Sequence, residues 1–315
     1  MRVTAIAFGA GLLLVAAVPA LADCPAELAK VEKAAQSASL QDTEAAVRQV
    51  HGTLTCDPWE EGKADALLST RLVAEARKID PTLKQPQAIA LIERAAQPAV
   101  EWRSLELKGR LQLSAGKFRE ATESFQQAIN LIAVSGAAGA PAGSWKNEAT
   151  REERANLAKQ ADEAKHFAAS GPQGVLVAAA SDRAGNPGGV FSAAVDRGAV
   201  GVRVPVPILF EFNSAQLTKV GMEAAQEFVS FLKGRDPKSI TVTGHTDHVG
   251  TEAYNMDLSK RRAATVASFL KDNGITGKIV TVGKGFSVPW KVSEGSTYTQ
   301  SQIDDLNRRV EFDWN

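Results

Sequence analysis

The sequence predicts two structural classes in one chain: an all-α, repeat-like helical region, then an α+β domain in which two helices cover one face of a mixed sheet. Three observations predict this. From Pro25 to about Ile132, alanine-, leucine- and charge-rich segments alternate with short breaks such as "ASLQD", "TCDP" and "DPTLKQP", the pattern of antiparallel helices. From Val204 the apolar residues switch to strand-like alternation interleaved with helical spacing. Between them, residues 134–203 carry "AVSGAAGAPAGS" and "SGPQG", linker compositions flanking one charged helix from about Lys146 to Ala169.

The 315 residues are 44% hydrophobic and 23% charged, enough for two modules. The 36 Lys and Arg balance 36 Asp and Glu, so no whole-molecule field draws the protein to nucleic acid or to an anionic membrane. Residues 1–22 read as a signal peptide: Arg2, an apolar run, then the small-x-small Ala20-Leu21-Ala22. Cleavage on export is expected, with retention as an anchor the alternative. Asp23 precedes Cys24, which argues against lipid attachment there. In an oxidising compartment the two cysteines, Cys24 and Cys56, are expected to form a disulfide worth roughly 3–4 kcal/mol through restriction of the unfolded chain.

Residues 23–133 form the helical region. Asp57-Pro58 reads as an N-cap with proline at the first helical position, and Asp80-Pro81 ends the preceding helix. In "LELKGRLQLSAGKFREATESFQQAINL", Gly109, Ala121 and Ala128 let two helices approach while Phe118 and Phe125 fill the gap; with Gly116 this spacing resembles the tetratricopeptide repeat. Gln112 departs from it, standing where that family places a large aromatic. The resemblance implies a surface for a protein partner; the other reading is a bundle that spaces or dimerises the protein.

Residues 204–315 give the order strand, helix, strand, helix, strand, strand. In "VPVPILFEF", Ile208, Phe210 and Phe212 are predicted to face one way. Ala224, Ala225, Phe228 and Leu232 mark the buried face of the first helix. "SITVTGH" gives the second strand, "LSKRRAATVASFLKDNG" the second helix, stopped at Gly274, "KIVTVGKGF" the third strand, and "RRVEFDW" the fourth, with Val310, Phe312 and Trp314 on one face.

The chemistry concentrates in "GHTDHVGTEAYNMDLSKRRAATV", on the turn from second strand to second helix. A metal would draw on His245, Asp247 and His248, but alternate positions leaving a strand diverge. Ser259 lacks a nucleophile-elbow context. A charged ligand uses the residues more fully. Arg262, along the edge of the apolar stripe, is placed to grip a carboxylate, and Asp247 to receive an ammonium. The competing arrangement is a direct Asp247–Arg262 ion pair, which would leave little for a ligand.

"FEFNSAQL", "TGHTDHVGTEAYNMDLSKRRAATVASFLKDNGI", "VGKGFSVP" and "NRRVEF", in this order, resemble the OmpA-like peptidoglycan-binding domain family over residues 204–315. The resemblance implies that Asp247 binds the ammonium and Arg262 the carboxylate of meso-diaminopimelate in the wall stem peptide. It also implies that Asn213, Thr246, Asn255 and Leu258 line the pocket, and that Asn307 and Arg308 belong to its closing motif. The family's glycine and arginine before that motif are replaced by acidic residues in "SQIDDLNRRV". The expectation is therefore a periplasmic, Gram-negative, non-enzymatic wall-binding protein without a cofactor, tethering its helical module. In the alternative, the helical region carries the main role as an interaction scaffold and wall binding only localises it.

Overall fold

The computed structural model describes residues 23–37, 39–135, 147–171, 204–234 and 236–314. The expected signal peptide, the glycine-rich part of the linker and the segment 172–203 lie outside the described residues.

Among the described residues the first part holds α1 (Cys24–Ser37), α2 (Leu40–His51), α3 (Pro58–Ile79), α4 (Pro86–Ala96), α5 (Trp102–Ser114), α6 (Phe118–Ser135) and α7 (Arg151–Ser170). Their starts are written locally. Capping boxes Ser39/Asp42, Asp57/Glu60 and Thr150/Glu153 open α2, α3 and α7, with Pro58 at the first position of α3. Asp80 ends α3 and turns the chain: its carboxylate accepts from the Thr82 hydroxyl and from the backbone N–H groups of Thr82, Lys84 and Gln85, which hold its pKa well below the usual range. A Cys24–Cys56 disulfide joins the first turn of α1 to the residue preceding the Asp57 cap.

Helices α5 and α6 form a close hairpin. A Cβ at Gly109 would lie 2.6 Å from Cε1 of Phe125, whose side chain is fully buried, so glycine is what lets this ring seat. Gln112, where an aromatic was the family expectation, accepts a 2.7 Å hydrogen bond from Ser124 across the hairpin. Phe118 packs against the core of this hairpin and also meets Phe167 of α7 at 5.2 Å between centroids. The charged helix expected within the linker is α7, and its Leu157, Ala161, Ala164 and Phe167 pack into the core of α5 and α6.

The second part runs β1 (Val204–Val206), α8 (Lys219–Lys233), β2 (Ser239–Gly244), α9 (Glu252–Asp272), β3 (Lys278–Gly283), α10 (Gln300–Asn307) and β4 (Val310–Trp314). The sheet order is β1-β4-β2-β3, with β2 parallel to β3 and β4 antiparallel to both β1 and β2. A core of Ala224, Phe228 and Leu232 from α8, Val266 and Leu270 from α9, and Ile240, Val242, Val310 and Phe312 from the sheet joins the layers. Phe228 and Phe312 meet at 4.1 Å between centroids.

Two expectations are corrected. The first strand stops at Val206, because Pro207 has no N–H to give the sheet and Ile208 N turns back onto Val206 O at 2.7 Å. Ile208 is buried and Phe210 half-buried, but Phe212 is 97% exposed in the following loop, so the three do not share a face. The second correction is α10, a short helix opened by a Thr299/Gln302 capping box between the last two strands. Its Leu306, with Trp290 and Tyr298 of the preceding loop, packs against the α5–α6–α7 core, so the helical region and the α+β domain touch directly.

Candidate functional site

The site forms where β2 runs out. A Cβ at Gly244 would lie 2.3 Å from Ser259 O, so α9 crosses the strand end in near-contact with its backbone. The next two residues are clamped between neighbouring strand ends: His245 N donates to Arg309 O at 3.0 Å and Thr246 N to Gly285 O at 2.9 Å. Ser259 ties the same loop from α9, its hydroxyl accepting from Gly285 N at 2.9 Å and donating to Met256 O at 2.9 Å. This hydroxyl is a structural fastener between helix and loop.

Asp247 follows the clamp. Its Oδ1 accepts from Val249 N at 3.0 Å, a turn that brings the chain to the Thr251 cap of α9. Its Oδ2 is 2.6 Å from Nη1 of Arg308, at the end of α10, and the other Arg308 nitrogen donates to Asp305. Burial works to lower the Arg308 pKa, but the hydrogen bonds and charges of the two carboxylates outweigh it and raise it.

Arg262 projects from α9 and is 5% exposed. Its Nε donates to Ser214 O at 2.9 Å, and its guanidinium lies 4.9 Å from the centroid of the Phe210 ring. Burial is the main reason its pKa falls to about 10; the positive charge of Arg308 adds to the fall and Asp247 opposes it. No carboxylate among the described residues lies within ion-pair distance of Arg262. The direct Asp247–Arg262 pair is therefore not the arrangement found: the aspartate is paired with Arg308, and the buried arginine is held by a carbonyl and a ring.

The remaining sequence-derived positions divide. Thr246 is buried, next to Asp247 in the chain, and its hydroxyl makes no hydrogen bond among the described residues. Asn255 is buried and donates to Val249 O at 2.9 Å, bracing the Asp247 turn, and Leu258 is buried on the same helix. Asn213 is exposed at φ 55°, a left-handed conformation asparagine tolerates, and accepts from the Tyr254 hydroxyl. Asn307 is buried, and its Oδ1 accepts from Trp290 N at 2.7 Å.

His245, Asp247 and His248 do not converge. His245 Nε2 is 3.4 Å from Glu311, Asp247 meets Arg308, and His248 Nδ1 is 3.2 Å from Asp304. The His245–Glu311 contact belongs to a second buried charge cluster, in which Arg309 Nε also donates to Glu311 at 2.8 Å. Burial pushes the Glu311 pKa up, but the His245 hydrogen bond and the Arg309 charge win and hold it at about 2. Phe210 beneath Arg262 and the Ser214 carbonyl were missed by the sequence reading, which placed Phe210 in a strand. Alternating apolar residues conceal such a role, and a loop carbonyl carries no sequence signal.

Residues 209–300 match the OmpA family. Outer membrane protein A of Shimwellia blattae is 38% identical over 113 residues, covering 34% of this chain and 47% of that protein. Outer membrane protein A of Klebsiella pneumoniae is 44% identical over 85 residues, covering 26% of this chain and 25% of that protein. The matches thus span less than half the length of these relatives. Among solved structures, the OmpA-like domain of FopA1 from Francisella tularensis aligns at 31% identity and a TM-score of 0.29, covering 36% of this chain and 70% of that one. No helix among the described residues is long and apolar enough to cross a membrane. Asp247 and Arg262 both fall within the stretch that matches the OmpA family.

Proposed function

We propose that this domain binds peptidoglycan by its stem peptide, taking the zwitterionic centre of meso-diaminopimelate between Asp247 and Arg262, and so tethers the helical region to the wall without catalysing a reaction. The observation that carries the reading is the state of Arg262. It is a buried guanidinium held in place by Ser214 O and Phe210, with no carboxylate partner among the described residues. Burying such a group without a counter-charge is costly, and an incoming carboxylate would relieve that cost with two parallel hydrogen bonds. Asp247 is close enough to act electrostatically on Arg262 and supplies the opposite charge for an ammonium, and the buried hydroxyl of the adjacent Thr246 makes no hydrogen bond among the described residues.

Two charge-assisted contacts of roughly 1.5–3 kcal/mol each give modest affinity for one stem peptide. A polymeric wall compensates by ligand density. The proposed compartment is the periplasm, and a protein partner for the helical region is part of the same proposal. The test is co-sedimentation with purified sacculi together with titration of free meso-diaminopimelate. Wild type is expected to bind in both assays, and Asp247→Ala and Arg262→Ala to lose binding while keeping their circular-dichroism spectra. Wild-type retention by both variants would refute the assignment.

A further inference from the structure

The pocket's charges stand at the end of a contact chain that begins in the helical region. Glu163 of α7 is fully buried, and its carboxylate accepts four hydrogen bonds from one loop of the C-terminal domain. Oε1 takes Trp290 Nε1 at 2.8 Å and Ser293 N at 2.7 Å; Oε2 takes the Ser293 hydroxyl at 2.5 Å and the Tyr298 hydroxyl at 2.7 Å. Four acceptor sites are about what a carboxylate offers, so this group is saturated by the loop. Neighbouring residues of α7 reinforce the junction: Asn156 Oδ1 accepts from Glu294 N at 2.8 Å and Lys159 Nζ donates to Val292 O at 3.1 Å.

The same loop reaches the pocket. Trp290 N donates to Asn307 Oδ1 at 2.7 Å, and the Trp290 ring lies 5.2 Å from the Arg309 guanidinium. Between these two anchored residues stands Arg308, which occupies Asp247. Glu163, Trp290, Asn307, Arg308 and Asp247 thus form one continuous line from helix to pocket.

We propose that Glu163 is a positioning residue for the pocket: by bolting α7 to residues 290–298 it holds Arg308 on Asp247, and so sets how readily a cationic ligand group displaces that arginine. Its consequence for affinity rests on the diaminopimelate reading; its consequence for Arg308 does not. A ligand ammonium and Arg308 compete for one carboxylate, so apparent affinity scales with the fraction of molecules in which Asp247 is open. Loosening the bolt raises that fraction.

The test uses the full chain with Glu163→Gln and, as a milder variant, Tyr298→Phe, which removes one donor of the four. Two quantities are read: exchange of the Arg308 Nη protons by NMR, and the dissociation constant for free meso-diaminopimelate. Both variants are expected to stay folded, to show faster Arg308 exchange, and to bind the amino acid about two- to tenfold more tightly, Tyr298→Phe by the smaller factor. A merely structural role would not tighten binding. Unchanged exchange, or unchanged or weaker binding in a folded variant, overturns the proposal. If wild type itself binds no diaminopimelate, the ligand reading fails, and the exchange measurement alone decides this one.

Discussion

Arg308 Nη1 sits 2.6 Å from Asp247 Oδ2, so the site's carboxylate is already engaged before any ligand arrives, whereas among the described residues Arg262 is held by the Ser214 carbonyl and the face of Phe210. Cation and anion are therefore prepared unequally. On the proposed reading the ligand carboxylate meets a buried guanidinium that has no carboxylate partner among the described residues, and its ammonium must share or displace.

Arg262→Lys tests that inequality. Lysine keeps the charge but cannot reach Ser214 O with one nitrogen while offering a planar pair to a carboxylate. Titration of meso-diaminopimelate is expected to show a loss of about tenfold or more, close to that of Arg262→Ala.

Gly244→Ala probes the crossing of β2 and α9. The added methyl would meet backbone, Ser259 O at 2.3 Å, which cannot rotate aside. Overpacking of this kind costs about 1–3 kcal/mol. Denaturant melts are expected to show that loss, and wall co-sedimentation to fall with it, since Asp247 and Arg262 hang from the two elements being forced apart.

His166 of α7 supplies a pH dependence. Burial is the main reason its pKa is depressed from 6.5 to about 4; Asp305 opposes this, while Arg308 and Arg309 add to it. The unfolded chain therefore binds the proton first. The stability that the neutral ring contributes is complete above about pH 6.5 and is lost as pH falls towards 4, an effect of about 2–3 kcal/mol. Chemical denaturation at pH 7 and pH 4 is expected to show this drop in wild type, and a smaller drop in His166→Gln.

The Cys24–Cys56 bridge closes a stretch with a sequence separation of 32, for which chain-entropy arithmetic gives about 3–4 kcal/mol. Reduction, or the double change to serine, is expected to lower the midpoint of helical unfolding followed by circular dichroism. Meso-diaminopimelate affinity is expected to be unchanged, because α1 and α2 share no core with the pocket.

How much of this was legible in the sequence follows from the range of each cause. Strands β2 and β4 and helices α8 and α9 announce themselves through alternation or helical spacing, since each buries one face along its whole length. β1 misleads because Pro207 cuts short an otherwise strand-like run, and α10 is short and polar enough to look like loop. The nearness of Asp247 to Arg262 could be inferred from their motif. That Arg308, 61 positions further on, takes the aspartate could not, because nothing local encodes a partner brought in by the return of the last strand. Glu163 was equally hidden: in a charged helix, a carboxylate that ends up saturated by another domain looks like any solvated one.

The docking of α7 also has a mechanical meaning. A protein whose cargo-bearing part hung from a coil would let that cargo wander over a distance set by chain length. With one helix shared between the α5–α6 pair and the loop that reaches Asn307, the two parts pack on each other, and on the proposed reading the distance from wall to helical region is set by that packing and not by linker length.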